Sequence, residues 1–323
     1  MSNNPFNQPS VLQQIADTKG SYKVFPQIYE HTNQWLTGTS ICEFGGRFVV
    51  AQRLLNMKSG SVTENWRKNI STIVISELEF DELVLVPRKI IAWDRSDENV
   101  SLEDPRLFVY KGQLQLWAVA GRFYPLPTSI RQVILTLDSN FEVINQIYPP
   151  YGRNSDLGYE KNWCPIIGTT MFVYKTDKEH IVIDFESSIV HKSRGLSWPY
   201  GEFHGGTQVV AIEDRYLMIL HSRLDIPENI AVHSGLSALQ YFVGAYTFEN
   251  SPPYRILEYT KEPLFSGSFK DVVVSGSPAS IFVSGAMIPD GGENLYLTLH
   301  INDCQSVLAQ IPVNYILKRL DRF

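Results

Sequence analysis

With 323 residues, 44% of them hydrophobic and 19% charged, the chain can bury a large core in one all-β domain or two smaller ones. A formal net charge of -6 and a pI near 5.7 exclude the basic footprint of a nucleic-acid-binding protein, and no apolar run reaches the length of a membrane span. Cys42, Cys164 and Cys304 are odd in number and lack metal-ligand spacing, which predicts reduced, partly buried thiols.

Residues 1–21 carry Asn, Gln, Pro and Ser around one amphipathic patch from Val11 to Ile15, and predict an arm or a short helix. The opening MSNNPFNQPS has neither a basic nor an apolar leader region, so the expectation is a soluble cytoplasmic protein. From Tyr22 onward the apolar segments are short, rich in Val, Ile, Phe, Tyr and Trp, and bounded by Gly, Asp, Asn or Pro, which is the pattern of strands.

Five hairpins follow in chain order. Cys42–Phe44 turns at Gly45-Gly46 into Arg47–Leu55, and Arg106–Tyr110 turns at Lys111-Gly112 into Gln113–Arg122. Cys164–Tyr174 turns near Gly168, Thr207–His221 at Glu213-Asp214, and Ser284–Asn302 at Asp290-Gly291-Gly292. Their spacing leaves room for a four-stranded blade each, with Thr72–Val86 and Tyr241–Tyr259 supplying outer strands, so the chain from 22 to 323 reads as one five-bladed β-propeller. A β-sandwich is the competing architecture. In a propeller the inner strands surround one axis, so the polar residues that enter and leave these hairpins would meet in a central polar cavity.

The stretch Ser101–Tyr110 stands out, because Glu103, Asp104 and Arg106 sit directly ahead of an apolar strand. Pro105 predicts an extended Asp104, and strand alternation sends Glu103 to the opposite face. Taken alone, the cluster is equally a surface turn in which Asp104 and Arg106 pair with each other.

LEDPRLF, YEKNWCPI, GGTQVV with LMILHSR, YFVGAYTFENSPPYRI, and FVSGAMI with LHINDC occur in one order along the chain. In this order they resemble glycoside hydrolase family 130, the β-mannoside phosphorylases and β-1,2-mannosidases, from about Trp35 to about Val313. The resemblance implies a five-bladed propeller catalytic domain that acts on an oligosaccharide or glycoside, with no nucleic acid or membrane partner. It implies Asp104 as the proton donor, Lys161 and His221 at a phosphate site, and inorganic phosphate as a co-substrate, with no metal and no other cofactor. It further implies sugar contacts from Ser40, Arg53 and Asp303, with Arg106 following the acid. The loop residues Trp198 and Tyr200 are the expected aromatic platform, against core packing as the alternative. The family's additional phosphate arginine has no clean match, Arg131 and Arg153 being nearby without its context.

That gap leaves hydrolysis open. An inverting hydrolase needs a second carboxylate roughly 6.5–9.5 Å from the acid to activate water, and Glu160 and Glu202 are the alternative bases. A sugar-binding propeller without turnover is a third reading, needing only Arg53, Asp303 and the aromatics. His204, His233 and His300 complete the site-like histidines without forming a metal pattern, and no phosphate-loop or dinucleotide motif occurs.

Overall fold

Two-residue turns at which both central residues take positive φ match the twist of the strands they join. Gly45 (φ 58°) and Gly46 (φ 71°) make such a turn, and so do Lys111 (φ 50°) and Gly112 (φ 72°). They pair Phe44 with Arg47 and Tyr110 with Gln113. The computed structural model describes residues 8–26, 34–56, 71–79, 82, 84–93, 100–122, 128–149, 160–226, 239–271, 278–289, 292–302 and 305–323.

The strands form five antiparallel sheets, four of four strands and one of seven. Blade one runs Gln34–Phe44, Arg47–Asn56, Ser71–Glu79 and Val84–Ile90, and blade two Ser101–Tyr110, Gln113–Arg122, Thr128–Leu137 and Val143–Ile147. Blade three runs Cys164–Pro165, Met171–Lys175, Glu179–Asp184 and Val190–Arg194. Blade four is built on Glu202–Gly206, Arg215–Asp225, Leu239–Glu249 and Ile256–Thr260, with Leu320–Arg322 added outside. Blade five contains Ile281–Met287, Asn294–Ile301 and Gln305–Pro312, and its outermost strand is Ser21–Val24 from the other end of the chain. That last pairing, Ser21 with Gln310 through Val24 with Val307, closes the ring.

Because each sheet has a neighbour on both faces, successive residues along a strand are buried in different places. Leu107, Leu116 and Ala118 pack towards blade one, whereas Phe108 and Trp117 pack towards blade three, where Trp163 and Phe172 stack at 4.5 Å. Similar clusters fill the gaps between blades three and four, four and five, and five and one. The five-bladed propeller read from the hairpins is therefore the observed architecture.

Around the axis, polar side chains satisfy backbone groups that the ladders leave unpaired. Ser284 and Thr298 donate to the Thr39 carbonyl, Gln208 donates to the Ile41 carbonyl at 2.7 Å, and Ser40 accepts from the Leu107 amide at 2.9 Å. Cys42 and Cys164 are buried thiols, and Cys304 lies outside the described residues. Among the described residues no helix is long and apolar enough to cross a membrane.

The N-terminal patch forms a helix, Val11–Asp17, whose Ser10 side chain accepts from the Gln13 amide. Val11 and Ile15 are fully buried in the core shared by blades four and five, and the Val11 amide donates to Asp271 at 2.8 Å. The segment is thus held by apolar burial, by the charged hydrogen bond to Asp271, and by Gln14, which donates to the Ser266 carbonyl and accepts from the Ser266 amide at 2.8 Å each. Ile15→Ala is expected to cost about 2–5 kcal/mol, the range for deleting a buried aliphatic side chain, and thermal denaturation reads it directly.

Candidate active site

The inner strand of blade two does not run straight. Its register passes from Glu103 opposite Val119 to Arg106 opposite Trp117, so Asp104 and Pro105 together face one residue of the neighbouring strand. Asp104 sits at φ 52°, in the left-handed region that Asp and Asn tolerate better than most residues. This corrects two expectations. Asp104 is not extended, and Glu103 is not turned away, because the bulge cancels the alternation and both carboxylates line the same cavity.

That cavity, of about 400 Å³, opens near the axis and is lined on one side by Arg53, Glu103, Asp104 and Lys161. Asn162, His204, His221, Arg223, Phe282 and His300 form much of the rest. Residues from all five blades, or from the strand entering one, therefore meet there. A second space of about 200 Å³ shares Lys161, Asn162 and His204 and extends between blades three and four towards Lys175 and Asp177.

Glu103, 2% exposed, is the electrostatic centre. One of its oxygens accepts from Arg53 Nη2 and the other from Lys161 Nζ at 3.0 Å. Arg53 is oriented by Nε donation to Ser71 Oγ at 3.0 Å, and Ser71 in turn donates to the Leu102 carbonyl at 2.9 Å. Lys161 Nζ also stands 3.9 Å from Asp104, close enough to feel its charge but too long for a hydrogen bond.

His221 is 1% exposed and packs on Phe282 with ring centroids 4.1 Å apart. Burial, followed by His204, Arg106, His300 and Arg223, holds its imidazole well below the ordinary histidine range. His221 is therefore neutral near pH 7 and offers a donor or acceptor without adding positive charge. His204 is lowered as well, first by burial and then by Arg223, with Glu202 and Asp177 opposing. Three buried atoms at this wall take no hydrogen bond among the described residues: Asn162 Oδ1, His204 Nε2 and His221 Nδ1. Buried polar atoms of this kind are ordinarily satisfied by a partner, water or ligand.

The remaining residues singled out in the sequence sit elsewhere. Arg106 is 1% exposed and does not line the cavity; its Nε donates to the Gly206 carbonyl at 2.9 Å and its Nη1 to the Asp104 carbonyl at 3.2 Å. It braces the bulge from behind, joining blade two to blade four. Ser40 is fully buried and spends its hydroxyl on blade two, as described above. Trp198 is packed against Phe203 at 5.6 Å, with Nε1 donating to the Lys261 carbonyl at 3.1 Å, and Tyr200 donates to Glu262. Neither aromatic lines the cavity, so the sugar platform gives way to core packing.

Glu160 is buried and accepts from Trp163 Nε1 at 3.0 Å, and burial pushes its carboxyl upward against that bond. Glu202 is exposed on the inner edge of blade four. Neither lines the cavity. Arg131 is exposed on the third strand of blade two, while Asp303, Arg153 and His233 lie outside the described residues.

Arg223 was missed. It occurs two positions after His221 on the strand Arg215–Asp225, so simple alternation places both on one face. Asn162, Tyr241 and Phe282 lie within YEKNWCPI, YFVGAYTFENSPPYRI and FVSGAMI, yet were given no role of their own.

Five sheets thus ring a polar cavity in which a bulged acid stands beside two cations. No protein-family model matches the chain, and no curated protein matches it. Among solved structures it is similar to the β-1,2-mannobiose phosphorylase from Listeria innocua in complex with β-1,2-mannobiose, at 12% identity and a TM-score of 0.64, covering 93% of this chain and 99% of that one. It is also similar to a glycosyl hydrolase from Bacteroides ovatus, at 13% identity and TM-score 0.57, covering 86% and 84%. A third match, at 14% identity and TM-score 0.57 with the same coverage, belongs to the GH130 family of mannoside phosphorylases and is described with hydrolases that target β-1,2 mannosidic linkages in Candida mannan. The chain therefore has the fold of the GH130 propellers.

Proposed function

We propose that this protein is a carbohydrate-active enzyme that cleaves β-mannoside-type bonds by phosphorolysis, with Asp104 as the proton donor. The observation that supports it is the distribution of charge in the cavity. Among the described residues the lining carboxylates are Glu103 and Asp104, and Glu103 is bound to two cations. A carboxylate so held has each oxygen already accepting from a cation, which leaves it badly placed to take a proton from water. Asp104 is left for proton donation, and the opposite wall offers the Arg223 guanidinium and imidazoles to an oxyanion.

In this reading a phosphate oxygen forms a bond to the anomeric carbon as the glycosidic C–O bond breaks. The departing oxygen takes the proton supplied by Asp104, in the family's manner by way of a sugar hydroxyl, and the products are a sugar 1-phosphate with inverted configuration and a shortened sugar. Nothing beyond phosphate is needed for the balance. The fold likeness to mannoside phosphorylases is in keeping with this reading.

Incubation with β-1,2-mannobiose and related disaccharides, with and without inorganic phosphate, tests it. Phosphate-dependent formation of sugar 1-phosphate is the expected result. Free mannose released at the same rate in both conditions would replace phosphorolysis with hydrolysis, and binding without turnover would leave a sugar-binding propeller.

A further inference from the structure

Among the described residues the cavity is lined by the cations Arg53, Lys161 and Arg223 and by the carboxyl groups of Glu103 and Asp104. Glu103 takes both Arg53 and Lys161, and Lys161 also approaches Asp104. Arg223 has no carboxylate within ion-pair distance among the described residues. His204 and His221, which flank it in the lining, are both lowered and neutral, so they add donors without charge.

The backbone holds Arg223 in place. Ser222 Oγ donates to the Tyr200 carbonyl at 2.8 Å, and Gly201 comes so close to the Arg223 carbonyl that a Cβ there would stand 1.9 Å from the oxygen. The backbone of this position is thus fixed on both sides, and its exposed side chain is part of the cavity lining.

We propose that Arg223 is the phosphate-recruiting cation of this site, supplying the charge that Lys161 has already given to Glu103. The inference rests on the phosphorylase reading and specifies which residue makes it work. A dianion needs cationic partners in place of the water it sheds on entry, and Arg53 and Lys161 are already bound to Glu103. A guanidinium adds a rigid fork that binds two phosphate oxygens at once, a stronger contact than a point charge makes. The missing family arginine is then replaced from a different strand.

Arg223→Gln and Arg223→Lys, assayed with β-1,2-mannobiose at varied inorganic phosphate, test this. The glutamine variant is expected to raise the KM for phosphate at least tenfold while the KM for the disaccharide changes less than threefold, and the lysine variant to recover part of the loss. In parallel, the rise in melting temperature that phosphate gives the unmodified protein should be absent from Arg223→Gln, which also reports whether that variant is folded. If phosphate-dependent turnover occurs and Arg223→Gln keeps the phosphate KM within twofold, this inference is wrong and the phosphorylase reading stands. Equal increases in both constants would make Arg223 a sugar contact. An unmodified protein with neither phosphate-dependent turnover nor phosphate-induced stabilisation would overturn both.

Discussion

Asp104→Asn is expected to lower kcat on a disaccharide by a factor of about 10²–10⁴, the usual contribution of a positioned general acid, with the melting temperature unchanged. The amide has the shape of the carboxyl but no proton to give. It also suits the backbone, since Asn accepts the left-handed conformation at φ 52° as readily as Asp does. Alanine is a poorer probe, because it would add backbone strain at that position to the loss of chemistry. The decisive control is the leaving group. A nitrophenyl glycoside departs as a stable anion that needs little protonation, so its turnover should fall far less than that of the disaccharide. Equal losses on both substrates would show that Asp104 binds sugar and donates no proton.

How much of this could be read from the residues depends on the range of the interaction involved. The hairpins were readable because their causes are local: Gly45-Gly46 and Lys111-Gly112 supply the positive φ values that a two-residue turn requires, and alternation marks the strands they join. The bulge at Asp104-Pro105 was not, because a register shift is settled by the partner strand around Val119 and Trp117, far along the chain. Mistaking it for a straight strand turned Glu103 away from the cavity it in fact anchors. Arg106 and Ser40 carry the right chemistry for sugar binding, yet both are consumed by unpaired backbone at the ring's axis, a demand that exists only once five blades have closed. Trp198 fell to a similar cause, since Phe203 and the Lys261 carbonyl claim its ring and its N–H. Arg223 was within reach through alternation from His221.

The bulge makes Glu103 the second residue whose loss should be felt throughout the site. Glu103→Gln keeps the size of the side chain but presents an amide N–H to one of two cations that had each held a carboxylate oxygen. Losing one member of a buried ion pair costs about 3–5 kcal/mol, and the lower figure applies here because Arg53 and Lys161 keep 13% and 22% side-chain exposure. For a chain of this size that is a fall in melting temperature of roughly 4–5 °C. The chemical consequence is separate. Lys161, released from Glu103, has Asp104 as its nearest carboxylate among the described residues, at 3.9 Å, and an ammonium drawn onto that carboxylate would tie up the proposed proton donor. Turnover of the disaccharide by folded Glu103→Gln protein should therefore fall by more than turnover of a nitrophenyl glycoside, whose leaving group needs little protonation. A purely structural Glu103 would lower the melting temperature and leave the ratio of the two rates where it was. Measuring both on one preparation separates a residue that merely supports the bulge from one that also keeps the cations away from the acid.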